Sequence, residues 1–235
     1  MSTVDWTAWR PQAAAPEAEG LRERKKRLLR QRLSDTATEM FLERGFDAVR
    51  VSEIAQACGV SEKTVFNYFP TKESLILDRG ESTMAALRAG LADTDHSAVE
   101  AALRILSDEL RALTSWIAAQ DDSNQAVAMI RRFGALTRST PSLRAYHRDM
   151  TDRLVTAAAE ALAQRTRGSP DDPEPQIAAT ALLGLWFIQF QSLERHLDSA
   201  RTATQIHEAV TTDVRRAAKL IDTGLTSFEG AAPTR

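Results

Sequence analysis

Between Ser61 and Tyr68 the sequence reads SEKTVFNY, which sets hydroxyl, carboxylate, ammonium and amide groups beside an apolar stripe. On a short helix, Glu62, Lys63, Thr64, Asn67 and Tyr68 form an outer polar face. Val65, Phe66 and Phe69 form the apolar side, expected to be core. That division equips a helix for recognition: buried on one side, it offers polar groups to base edges and phosphates in the major groove of a duplex.

The preceding residues supply what such a helix needs to be held. A first helix is expected over about Arg24 to Arg44, because Leu29, Leu33, Ala37, Met40 and Phe41 recur at helical spacing. Gly45 ends it, and Phe46 turns back into the core. A second helix runs from about Val51 to Cys58, with Ile54 and the small Ala55 on one face. Ala55 lets the second and third helices cross closely. Gly59 follows where a left-handed residue is required, and Ser61 is placed to cap the third helix, about Glu62 to Tyr68. Pro70 stops that helix. Thr71 is expected to cap a fourth, with Glu73 in its first turn.

At 235 residues, 43% apolar and 26% charged, the composition is that of a soluble globular protein with one large or two modest domains. The first twenty residues lack an apolar core segment, and the stretch Ile177 to Ile188 is too short to span a bilayer. A cytoplasmic protein with no membrane association is expected. The single cysteine, Cys58, excludes an intramolecular disulfide and a cysteine metal cluster. At the end of the second helix, Cys58 reads as a small buried hydrophobe in preference to a redox sensor. Net charge is −2, but it is unevenly spread. Residues 21–80 carry 12 Lys/Arg and 9 Asp/Glu, whereas residues 81–235 carry 17 and 20. Polyanion binding should therefore be confined to the N-terminal end.

Residues 1–20 are rich in Ala and Pro without helical period, and are expected to form a disordered arm. Trp6 and Trp9 in that arm read as a loosely docked contact or, less simply, a self-association contact. The run from Arg22 to Arg32 then holds seven Lys or Arg among eleven residues, including Arg24, Lys25 and Lys26. It is either a solvated helix face or an arm that follows phosphates or enters the minor groove. Its position against the helix-turn-helix favours the arm.

The run FLERGFDAVRVSEIAQACGVSEKTVFNYFPTKESLI resembles the DNA-binding domain of the TetR family of bacterial transcriptional regulators. The likeness lies in GF, EIA, GVS, the T-V-F-x-Y-F block and the F-P-T-K-E-S-L exit, and covers about residues 24–80. It implies that Ser61, Glu62, Lys63 and Thr64 reach base edges and nearby phosphates. Asn67 and Tyr68 would contact the backbone and sometimes bases, and Lys72 a phosphate. Many members carry Thr-Thr before the second helix; here Val49 and Arg50 stand there, so Arg50 offers a charged contact in place of a hydroxyl. Two plainer readings stay open: Tyr68 packing on the first helix, and Ser61 acting only as a cap.

Beyond Ala89 the chain still reads as helix throughout, giving an all-α fold of about nine helices. Helices are expected over about Ala98–Ala119, Ser123–Arg138, Pro141 onward through Ala158, Gln176–Leu197 and Ala203–Phe228, with a break at GSPDDPEP. The expected division is an arm over 1–20, a helix-turn-helix domain over 21–70, a helical effector and dimerisation domain over 71–228, and a tail over 229–235. The eighth helix is apolar nearly all round, so it needs partners on every side. By position, helices 176–197 and 203–228 resemble the pair that forms the family's dimer interface, and a two-fold dimer suits a palindromic operator.

The resemblance also implies a small-molecule effector enclosed by helices four to eight. Candidate lining residues are Trp116, Met129, Phe133, Tyr146, Met150, Trp186, Phe187 and Phe190, with His147, Gln189 and Gln191 as nearby polar groups. Each also reads as ordinary core, and His147 as surface. The effector expected is apolar or aromatic. No Gly-rich phosphate loop, metal-ligand cluster or nucleophile motif supports an enzyme, and no cofactor is expected. The expectation is a dimeric DNA-binding repressor released by a ligand. The alternative is a DNA-binding regulator without a small ligand.

Overall fold

The computed structural model describes residues 20–78, 80–197 and 201–229. The expectations placed on the arm with Trp6 and Trp9, on residues 1–19, and on residues 230–235 lie outside them. Among the described residues the fold is all-helical: α1 (Leu21–Arg44), α2 (Val51–Ala57), α3 (Glu62–Tyr68), a 3-10 turn (Glu73–Leu75), α4 (Gly80–Ala92), α5 (Ala98–Ala118), α6 (Ser123–Ser139), α7 (Pro141–Thr166), α8 (Pro173–His196) and α9 (Ala203–Glu229).

Helix boundaries follow local chemistry. Gly45 and Gly59 take positive φ, +87° and +66°, at the ends of α1 and α2. Ser97 and Glu100 close α5 reciprocally: the Glu100 N–H donates to Ser97 Oγ, and the Ser97 N–H donates to Glu100. Asp122 accepts two backbone N–H bonds at the start of α6, and Pro141 opens α7.

The fourth helix does not begin at Thr71. Thr71 Oγ1 accepts the Ser74 N–H at 3.2 Å and caps only the 3-10 turn, and α4 opens at Gly80. The reason is packing. Ser74, Leu75, Ile76 and Leu77 are all buried, and four consecutive inward residues cannot lie on one face of an α-helix at 100° per residue.

Two cores form. The N-terminal one gathers Leu33, Ala37, Phe41, Phe46, Ile54, Val65 and Phe69 with Leu75 to Leu77, and also takes in Leu143 of α7. The C-terminal one is built from α4, α5, α6, α7, α8 and α9. There α9 packs on α5 and α8, α4 on α5 and α7, and α7 on α8. By length and composition α8 could cross a membrane, which differs from the shorter apolar stretch read in the sequence. Its Ala178, Ala179, Leu182, Leu183 and Leu185 are nevertheless buried against neighbouring helices.

Candidate nucleic-acid interface

A helix as short as α3 is marginal alone in water, so its packing must hold it. Val65 and Phe69 are fully buried in the N-terminal core, each contributing about 1.5–3 kcal/mol. The Ser61 hydroxyl accepts the Thr64 N–H at 3.2 Å and lies 2.9 Å from the Thr64 hydroxyl. Ser61 is thus a cap whose oxygen is engaged, and Thr64 is half-buried. Glu62, Lys63 and Asn67 point outward and are exposed, as does Arg50 at the start of α2. Tyr68 is half-buried and packs against the N-terminal core, in line with the plainer reading.

Phe66 is not core. It is 46% exposed. Val65 and Phe69, four residues apart, share the inward face, and Phe66 is rotated about 100° from Val65, onto the side of Lys63. It joins the outward face as an apolar group, a role its hydrophobicity concealed in the sequence.

The basic run is a helix face, not an extended arm, because α1 already begins at Leu21. Lys, Arg, Glu, Gln and Leu are good helix formers, and no Gly or Pro interrupts them. Arg24, Lys25 and Lys26 are exposed on its first turns. Two later arginines brace the domain. Arg30 donates to the Tyr68 carbonyl at 2.6 Å and pairs with Asp78. Arg32 lies against the Ala57 carbonyl at 3.4 Å. At the other end of α1, Arg44 binds Glu53 at 2.7 Å, and the Arg50 N–H donates to the same carboxylate at 2.8 Å. The Arg50 N–H first, then Arg44, hold the exposed Glu53 carboxyl below the ordinary range.

Lys72 is drawn inward. Its Nζ donates to the Phe46 carbonyl at 2.6 Å and lies 4.4 Å from the Phe46 ring centre and 5.5 Å from that of Phe41. Burial lowers its pKa, opposed by Asp47, Glu73 and Glu53. Cys58 is buried, with Sγ 3.4 Å from the Thr36 hydroxyl.

The aromatic set read as an effector pocket divides among different surroundings. Trp116 is buried in the C-terminal core, with Met150 and Trp186 packed against it. Phe133 and Tyr146 pack on the N-terminal core instead. Met129 is half-buried, while His147, Phe187 and Phe190 are exposed. A cavity of about 520 Å³ opens between α5, α8 and α9, and none of those eight residues lines it. Leu103, Leu106, Leu110 and Val214 give it apolar walls, with Glu100, Arg104, Asp108, Arg111, Gln189 and Arg215 as polar groups. Only Gln189 was singled out in the sequence. Helical periodicity identifies apolar faces; it does not say which face meets a neighbour and which a void.

Residues 33–78 match the family model for bacterial regulatory proteins of the tetR family, and residues 110–215 match the MftR C-terminal domain. The chain is 31% identical over 153 residues to a putative mycofactocin biosynthesis transcriptional regulator MftR from Mycobacterium tuberculosis, covering 65% of this chain and 73% of that protein. It is 29% identical over 167 residues to the HTH-type transcriptional regulator TcmR from Streptomyces glaucescens, covering 68% and 70% of the two chains. A solved TetR-family regulator from Mesorhizobium loti shares 20% identity at a TM-score of 0.44, covering 86% of this chain and 98% of that one.

Proposed function

The chain belongs to the TetR family of DNA-binding transcriptional regulators, and from that premise we propose that it acts as a homodimeric repressor whose operator affinity is set by a small ligand. Each subunit lays α3 in one major groove. Lys63 and Asn67 reach base edges, and Phe66 meets a thymine methyl or a sugar face. Arg24, Lys25, Lys26 and Arg50 neutralise phosphates. The observation that carries this reading is the division of α3: Val65 and Phe69 fully buried, with Lys63, Phe66 and Asn67 turned outward.

Dimerisation through α8 and α9 is supported by the apolar surface left on them. Ile177 is 67% exposed, Phe187 60% and Leu220 82%. A second copy covers that surface and brings two readers to a palindromic operator. The cavity between α5, α8 and α9 offers the effector apolar walls with a charged rim. A ligand shifts the readers only as far as it prefers one arrangement of the body over the other. The proposal is tested by the mass of the complex with a duplex chosen by selection from random DNA. Two chains per duplex are expected, and one chain at saturation would refute it.

A further inference from the structure

Helix α4 leaves the reader and enters the C-terminal core, and side chains secure it at two places. At its approach, the Arg30 guanidinium forms a two-pronged pair with Asp78, with Nε 3.0 Å from Oδ2 and Nη2 bonded to Oδ1. The same guanidinium donates Nη1 to the Tyr68 carbonyl at 2.6 Å and lies 4.5 Å from the Phe69 ring centre. Tyr68 is the last residue of α3, where helical carbonyls lack intrahelical partners. One side chain therefore holds both the end of the reading helix and the approach to α4. Further along, the Thr83 hydroxyl on α4 donates to Glu109 Oε1 at 2.9 Å, and Trp186 Nε1 on α8 donates to Glu109 Oε2 at 3.1 Å. Thr83 is buried, and Glu109 and Trp186 are half-buried. A single carboxylate of α5 thus ties α4 to the helix that carries Phe187.

We propose that Arg30–Asp78 and Thr83–Glu109–Trp186 are the two mountings of α4, and that through them the body sets the position of α3. These five are positioning residues, and none is assigned a contact with DNA. The inference rests on the reading that the body adjusts the reader. Charge-assisted, two-pronged pairs fix orientation as well as distance, so a displacement of α4 at Glu109 reaches α3 through Arg30. A second connection joins the two cores: Arg132 of α6 donates to the Leu42 carbonyl at 2.8 Å, and Leu143 of α7 is buried in the N-terminal core. It anchors the α6–α7 shoulder and serves as the control.

The test is a mutant cycle on operator affinity, using a duplex selected by the wild-type full chain and salt from about 50 to 200 mM. Asp78→Asn removes a negative charge, which by charge alone tightens binding to a polyanion. Positioning requires the opposite, a loss of about fivefold or more with the salt slope unchanged. Glu109→Gln alone is expected to weaken binding by about fivefold or more. In the Asp78→Asn background its effect should shrink to less than about twofold, because the slackened joint no longer transmits it. In an Arg132→Gln background it should keep its full size. Tighter binding by Asp78→Asn, or effects of Asp78→Asn and Glu109→Gln that simply multiply, would overturn the proposal. Should Asp78→Asn fail to fold, Arg30→Lys enters the same cycle, since it keeps the charge and loses the fork. A wild-type chain that selects no duplex refutes the functional reading itself, a result distinct from additive effects in the cycle.

Discussion

Lys72 donates its ammonium to the carbonyl of Phe46 at 2.6 Å and stacks on the ring of the same residue, 4.4 Å from its centre. The lysine thereby closes the loop between α1 and α2 onto the segment that follows α3. Lys72→Ala is expected to destabilise the free protein by about 1–2 kcal/mol, from the lost carbonyl bond and cation–π contact. The salt slope of DNA binding should stay the same. Denaturant melts paired with a salt series check both. A slope smaller by about 0.9 with unchanged stability would make Lys72 a phosphate contact after all.

Phe66 and Phe69 should separate stability from recognition. Phe69→Ala empties a fully buried site and should cost about 3–5 kcal/mol. Phe66→Ser should change stability by less than about 0.5 kcal/mol, as an exposed substitution does, while weakening operator binding. Urea unfolding and duplex titration of the two variants decide it. A large stability loss for Phe66→Ser would return that ring to the core.

Much of this was legible in the sequence. The period of Leu33, Ala37 and Phe41, the left-handed Gly45 and Gly59, the cap at Ser61 and Pro141 at the start of α7 placed most helices within a few residues. These are local signals, written in neighbouring residues. What failed to read was long-range. The four inward residues from Ser74 to Leu77 pack against α1 and α7 far along the chain, so a capping pattern at Thr71 promised a helix that packing forbids. Arg30 looked like one more cation in a basic run, because its partner Asp78 stands 48 positions away. The cavity escaped for the same reason: its walls come from α5, α8 and α9, and no short window spans them.

The outer face of α8 gives two opposed predictions. A Cβ built on Gly184 meets nothing within 4 Å, and Gly184 shares the face of Ile177 and Phe187 by helical spacing. Gly184→Leu should stabilise the isolated fold slightly, since Gly is the poorer helix former, yet weaken the dimer by obstructing the second copy. Phe187→Glu should give a folded monomer. Sedimentation equilibrium with circular dichroism measures both. Dimers of unchanged strength in both variants would place the interface elsewhere.

Acid should loosen the α8–α9 hairpin at Asp213. Its carboxylate accepts the Ser192 hydroxyl at 2.8 Å, Arg195 at 3.0 Å and His196 at 3.2 Å, with Arg216 at 3.6 Å from the other oxygen. The Ser192 bond above all, then His196 and Arg195, hold its pKa below the ordinary value, against the opposing effect of burial. A depressed carboxyl contributes stability that is present above the unfolded pKa, about 3.9. That stability is lost as pH falls through the lower native value, because the unfolded chain takes up the proton first. Stability measured from neutral to acid pH should therefore fall less steeply in Asp213→Asn than in wild type. Identical profiles would dismiss the clamp.

The most direct measurement is selection from random duplexes by the wild-type chain and by Lys63→Ala and Asn67→Ala variants, followed by sequencing. Wild type should enrich a two-fold symmetric site with half-sites about one helical turn apart or a multiple of it. Each variant should lose preference at particular positions in both halves and keep it elsewhere. Enrichment of the same sites with the same strength by all three proteins would contradict base reading by α3.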